Sequence, residues 1–136
     1  MQINPYLSFN GNCAEAFAFY TQVLGGEVLA MMTHAGTPME AHVPPEWVGK
    51  IMHARMRVGD SILMASDAPP DRYETPRGFS VTLSPTDPAE AERIFHALAD
   101  NGVVQMAIQQ TFWALRFGAL TDRFGTPWMI NCEAPA

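Results

Sequence analysis

Apolar residues recur along this chain with two periods. Ala16, Phe19, Tyr20 and Val23 are spaced i, i+3, i+4, i+7, the stripe of an amphipathic helix, and Ala91, Ile94, Phe95 and Leu98 repeat it 75 residues later. Capping signals precede both stripes. Asn12-Cys13-Ala14-Glu15 sets a capping side chain three residues before a glutamate, and Asp87-Pro88-Ala89-Glu90 does the same with proline at the first helical position. Gly25-Gly26 and Asn101-Gly102 stop the two helices, and Val28 and Val103 open new runs, again 75 apart.

β-like runs flank each helix. Tyr6 to Phe9 precedes the first, and Glu27 to Met32, Ile51 to Val58 and Ser61 to Asp67 follow it. Phe79 to Leu83 precedes the second, and Val103 to Ile108, Phe112 to Thr121 and Thr126 to Cys132 follow. Gly59-Asp60 reads as a two-residue hairpin turn and Asp122-Arg123-Phe124-Gly125 as a longer one. Each half is therefore β-α-β-β-β, and neither buries both its helix and its sheet alone. The expectation is an α+β chain forming one domain over 1–136, with modules 1–67 and 78–136 and a connector at 68–77. His34 to Lys50, rich in proline and turn residues, reads as a long surface loop.

Composition narrows the classes. A chain of 136 residues with 48% apolar and 16% charged positions is globular and has room for one core. The net charge of −6 disfavours phosphate backbones and anionic membranes, so neither nucleic acid nor membrane is an expected partner. No run approaches the length of a membrane span and no secretory leader pattern opens the sequence, which makes the cytoplasm the default. Cys13 and Cys132 are too few for a disulfide framework and too far apart for a CxxC site. Both read as packing thiols, with a reactive Cys13 in the first helical turn as the sharper alternative.

Several separated segments then carry a family likeness. Ala16-Phe17-Ala18-Phe19-Tyr20, Val23-Leu24-Gly25-Gly26 and Asp122-Arg123-Phe124-Gly125 resemble the vicinal oxygen chelate superfamily of glyoxalase I, extradiol dioxygenases and bleomycin-resistance proteins. Pro5-Tyr6-Leu7-Ser8-Phe9 with Gly11-Asn12-Cys13, Ala65-Ser66-Asp67-Ala68, Thr111-Phe112-Trp113-Ala114 and the run from Phe124 to Asn131 resemble its PhnB-like branch. The resemblance implies a glyoxalase-like fold, two βαβββ modules whose curled mixed sheets enclose a cavity, and a homodimer. It implies no defined reaction.

Metal-dependent members of the superfamily hold a divalent ion with His and Glu side chains from four strands, as a Lewis acid or a platform for oxygen. The resemblance places those four positions at Pro5, Met64, Ser80 and Met129. None is a usual ligand, so no metal and no other cofactor is expected. The one alternative cluster, His34, Glu40 and His42, lies on the long loop.

A Gly59-Asp60 turn pairs Val58 with Ser61, Arg55 with Met64 and His53 with Ser66. Alternation then sets His53, Arg55, Arg57, Ile62, Met64 and Ser66 on one face, and Ala54, Met56, Val58, Leu63 and Ala65 on the other, against a helix. The same reasoning sends Leu7 and Phe9, Ser80 and Thr82, and Met129 and Asn131 toward the mixed face. The expected ligand site is thus Phe9, His53, Arg55, Met64, Ser66, Ser80, Thr82, Trp113, Met129 and Asn131. His53 is a candidate general base or donor, or else a structural histidine bonded to a neighbour such as Ser66. Arg55 is a candidate clamp for a carboxylate or phosphate, or the partner of an internal acid. Phe112, Trp113 and Phe117 read as core or dimer packing or as a stacking wall, the methionines as gap fillers. No Gly-x-Ser-x-Gly elbow surrounds Ser8, Ser66 or Ser80.

Two functions follow: a metal-free protein binding a small organic molecule, or a lyase, isomerase or dioxygenase-type enzyme using His53 and Arg55 or a non-standard metal site. A third role, self-assembly through sheet edges and the loop containing Pro44, Pro45 and Trp47, underlies the homodimer expectation.

Overall fold

The computed structural model describes residues 1–134. It divides into two compact units, Met1–Glu74 and a second that begins at Thr75. The first contains strand β1 (Tyr6–Phe9), helix α1 (Cys13–Leu24), β2 (Glu27–Thr33), β3 (Ile51–Val58) and β4 (Ser61–Asp67). The second contains β5 (Val81–Leu83), α2 (Pro88–Ala99), β6 (Val103–Gln109), β7 (Ala114–Thr121) and β8 (Pro127–Glu133). Each unit builds one open, mixed, four-stranded sheet, in the orders β1-β4-β3-β2 and β5-β8-β7-β6, with a parallel pair at one edge and antiparallel pairs elsewhere. The β-α-β-β-β duplication is therefore present twice, as the helix and strand patterns require.

Within the first unit, α1 packs on β2, β3 and β4. Its buried residues are Cys13, Ala16, Phe17, Tyr20 and Val23, so the stripe is rotated from the expected one: Phe17 is fully buried, while Phe19 is half-buried. Phe9 explains the shift. Its ring meets Phe17 edge-on at 6.4 Å and lies 6.3 Å from Tyr20, so the helix turns its densest aromatic side toward β1.

The start of α1 also departs from the expected reciprocal cap. Asn12 makes no side-chain cap bond, and Asp67 supplies the acceptor from the end of β4. Its Oδ1 accepts the Cys13 N–H at 2.9 Å and its Oδ2 the Ile51 N–H at 2.8 Å. One buried carboxylate thereby ties the helix N-terminus to two strands.

In the second unit the expected helix face is met, but Glu90 bonds to Arg93 rather than back to Asp87, and β5 and β7 begin two residues later than expected. Asp87 accepts the Ala89 N–H at 3.4 Å, Pro88 takes the first position, and Ala91, Ile94, Phe95 and Leu98 are the buried face of α2. That face packs on β6, β7 and β8, closely enough that a Cβ on Gly118 would stand 2.6 Å from the Phe95 ring. The β7–β8 turn is organised by Asp122, whose Oδ1 accepts the N–H groups of Phe124 at 2.8 Å and Thr126 at 3.0 Å, while Oδ2 accepts the Trp128 indole N–H at 2.8 Å.

Helix ends repeat as well. Gly25 (φ 71°) and Asn101 (φ 60°) adopt the left-handed conformation that ends a helix. The next residue, Gly26 or Gly102, lies against the carbonyl of Arg57 or Thr121, where a side chain would collide with backbone.

The long loop folds into two short 3-10 turns, Pro38–His42 and Pro45–Trp47. Trp47 is only 7% exposed, so it is an anchor of the loop rather than the apolar surface expected of it. His34 is also buried, with Nδ1 3.0 Å from the Lys50 carbonyl. No helix among the described residues is long and apolar enough to cross a membrane.

Candidate functional site

Each sheet has one face covered by its helix and one that is not. In the first sheet the register is that set by the Gly59-Asp60 turn, with Val58 opposite Ser61 and Arg55 opposite Met64. Ala54, Met56, Leu63 and Ala65 are buried on the helix side, and His53, Arg55, Ile62, Met64 and Ser66 are half-buried on the other.

Strand β1 corrects the sequence reading. Its parallel pairing sets Tyr6 beside Met64, Leu7 beside Ala65, Ser8 beside Ser66 and Phe9 beside Asp67. Leu7 and Phe9 are therefore on the helix side and fully buried there, and Phe9 is no part of the open face. Tyr6 and Ser8 occupy that face instead. Pro5 is displaced too: its carbonyl accepts the Met64 N–H at 3.1 Å, and alternation from the Tyr6–Met64 pair puts it out of phase with Met64.

Strand β2 adds Ala30 beside Arg55 and Met32 beside His53. The open face of the first sheet thus gathers Tyr6, Ser8, Met32, His53, Arg55, Met64 and Ser66. His53 does not use Ser66 as its partner; its Nδ1 lies 3.5 Å from Tyr6 Oη, with the rings tilted 30° at 6.0 Å. This long contact is on the Nδ1 side of the ring and leaves Nε2 for another group. Arg57 is occupied at the exposed margin by Glu27, 2.6 Å away. Among the described residues Arg55 meets no internal acid, and its Nε is buried without an acceptor. An uncompensated buried N–H costs about 1–3 kcal/mol.

The open face of the second sheet is plainer. Thr82 stands beside Met129, Met129 beside Ala119 and Asn131 beside Phe117. Ser80 precedes β5 in phase with Thr82. The Asn131 amide donates to Glu133 Oε1 at 3.2 Å, and its Oδ1 is buried without a donor among the described residues. Trp113 lies just before β7, edge-on to Phe112 at 4.8 Å and to Phe117 at 5.4 Å. Phe112 is 97% and Trp113 46% exposed, so neither is a core residue of the chain.

Burial, and next the Asp67 carboxylate, push the Cys13 thiol up to about 12. A reactive thiolate at the helix start is therefore overturned: helix position would lower the value, but removal from water outweighs it.

A family model described as 3-demethylubiquinone-9 3-methyltransferase matches residues 1–131, and the chain is 41% identical to Protein YjdN of Escherichia coli K12, covering 96% of this chain and 95% of that one. The chain belongs to this family. Its fold is that of the PhnB-like branch of the vicinal oxygen chelate superfamily. A crystal structure of protein PA1353 from Pseudomonas aeruginosa is 53% identical over 98% of both chains with a TM-score of 0.89. A PhnB protein from Bacillus cereus, described as a putative 3-demethylubiquinone-9 3-methyltransferase, is 23% identical over 96% of this chain and 98% of that one, with a TM-score of 0.80. That second likeness is one of fold alone.

The resemblance to the vicinal oxygen chelate superfamily raises the question of its divalent ion, and the donor chemistry does not fit it. Of the four positions that the resemblance assigns, two are thioethers, one is a hydroxyl and one a proline out of phase with Met64, whereas hard or borderline ions take imidazole and carboxylate. Among the described residues no group of three or more His, Cys, Asp or Glu gathers to hold an ion. The loop set fares no better, since His34 Nδ1 is engaged by a backbone carbonyl while Glu40 and His42 are exposed.

Proposed function

We propose that this family member binds a small organic molecule, without a metal ion, on the open face of its first sheet. The supporting observation is the gathering of Tyr6, His53, Arg55 and Ser66 beside Met32 and Met64, on a face opposite the one α1 covers. Polarizable apolar surface with a few directed polar groups is the composition of small-ligand sites. Ser80, Thr82, Trp113, Met129 and Asn131 are proposed separately as ligand contacts of the second unit.

A thermal-shift screen of small metabolites, run with and without chelator, tests the reading. The expected result is a set of compounds that raise Tm equally in both conditions and lose their effect in His53→Ala. Compounds that act only when a divalent ion is supplied would overturn it.

The Tyr6–His53 contact favours one second reading, an enzyme in which the oriented imidazole moves a proton at Nε2 while Arg55 steadies developing negative charge. Chemical turnover of a screened compound, lost in His53→Ala, would support it.

We further propose a homodimer in the cytoplasm. Edge strand β6 leaves Val103, Val104 and Met106 exposed, and the exposed Phe112 and Trp113 add apolar area. Both cysteines are free and buried, which fits a reducing compartment. A monomer in native mass spectrometry at micromolar concentration would contradict the dimer.

A further inference from the structure

The class of ligand can be taken one step further, on the premise that the open face of the first sheet is the binding surface. Eight Lys and Arg side chains share the chain with fourteen carboxylates, so acidic partners are in excess. Four arginines each take one: Arg57 with Glu27, Arg93 with Glu90, Arg116 with Glu92 and Arg123 with Asp100. Lys50 donates to the Gly11 carbonyl at 2.9 Å.

Arg55 differs from all of these. Its Nε is buried and meets no acceptor among the described residues. The carboxylates nearest in the sheet are committed elsewhere, Glu27 to Arg57 and Asp67 to the Cys13 and Ile51 amides on the helix side. With Nε withdrawn from water and no partner for either Nη group among the described residues, the guanidinium is incompletely paired, and in an acidic chain the missing acceptor is not for want of carboxylates.

We propose that Arg55 anchors an oxyanion group of the ligand, held end-on through its two Nη groups. This edge of a guanidinium matches two oxygens of a carboxylate, phosphonate or phosphate in a charge-assisted pair. The neighbours suit such a group. Ala30 beside Arg55 is small, Met64 on the other side is flexible, and His53, two residues along the same face, has an Nε2 that Tyr6 does not occupy. The uncharged body of the ligand would then lie over Met32, Met64 and Ile62.

The test reads the arginine Nε–H signals of the full-length protein in 1H–15N spectra during titration with methylphosphonate, acetate and acetamide. Both oxyanions should shift the Arg55 Nε–H signal downfield to saturation, the neutral amide should not, and the Arg57 signal should stay in place. Whichever of methylphosphonate and acetate binds more tightly identifies the oxyanion preferred. Arg55→Lys keeps the charge and removes the fork, and should weaken oxyanion binding measured by calorimetry about tenfold; Arg55→Gln should abolish it. An unmoved Arg55 signal, an equal response to acetamide, or unchanged affinity in Arg55→Lys would overturn the assignment. Uncharged compounds that perturb β3 and β4 while the Arg55 signal is silent would overturn it too, yet leave the binding reading standing; loss of all binding to that face would remove the reading beneath it.

Discussion

The two units are built to one plan and furnished differently. Both have an open sheet, a helix with one apolar face, a left-handed residue after the helix and a glycine pressed against a strand carbonyl. Their open faces share little. The first presents a phenol, an imidazole and a guanidinium; the second presents Thr82, Phe117, Ala119, Met129 and Asn131 on its strands, none of them titratable. Backbone architecture is dictated by helix stripes and strand alternation, which the duplication copies. The open face is not constrained by packing against the helix, so its chemistry is free to diverge, and the first unit is where charge has been kept.

Each unit also depends on one buried aspartate, and removing these gives the largest effects that would break the comparison. Asp122→Ala strips the acceptor from two turn amides and the Trp128 indole, and should cost about 3–5 kcal/mol in chemical denaturation. Asp67→Ala frees two amides and should cost about 2–4 kcal/mol. If both were neutral, the units would be held by their apolar faces alone. Next in size, Gly118→Ala forces a methyl to within 2.6 Å of Phe95 and should lower stability by about 1–3 kcal/mol, read as a fall in Tm.

The smallest effect concerns pH. The Cys13 thiol is pushed up to about 12 in the native state, against about 8.5 in an unfolded chain. Between those values the unfolded state has lost a proton that the native state keeps, so stability is fully present below about pH 8.5 and declines as pH rises toward 12. Denaturation at pH 8 and pH 10 should show that decline, with a shallower slope in Cys13→Ala. Alkylation of native protein at pH 8 should be about a hundredfold or more slower than that of a free thiol.

Much of this was legible in the residues. The β3–β4 pairing followed from Gly59-Asp60, because a two-residue turn leaves one register, and the buried face of α2 followed from its spacing. The α1 cap was not legible, since its acceptor comes from Asp67, 54 residues along the chain from Cys13. Strand β1 was misplaced for a related reason. Alternation alone gives two phases for Leu7 and Phe9, and the choice between them is set by parallel pairing with β4, a long-range contact that four residues do not specify. The plain alternation of Tyr6-Leu7-Ser8-Phe9, with both strongly apolar residues in one phase, was the signal that could have found Tyr6 and the Phe17-centred helix face together. Arg55 was legible as a candidate, but that it meets no acid among the described residues became visible only once Glu27 and Asp67 had been placed.

The central claim is that ligand chemistry resides on the open face of the first sheet. Amide chemical-shift mapping of 15N-labelled protein with a compound from the thermal-shift screen tests it most directly. The account predicts that the largest perturbations fall in Tyr6–Phe9, Ile51–Val58 and Ser61–Asp67. Perturbations confined to the second unit, or to the loop of residues 34–50, would contradict it.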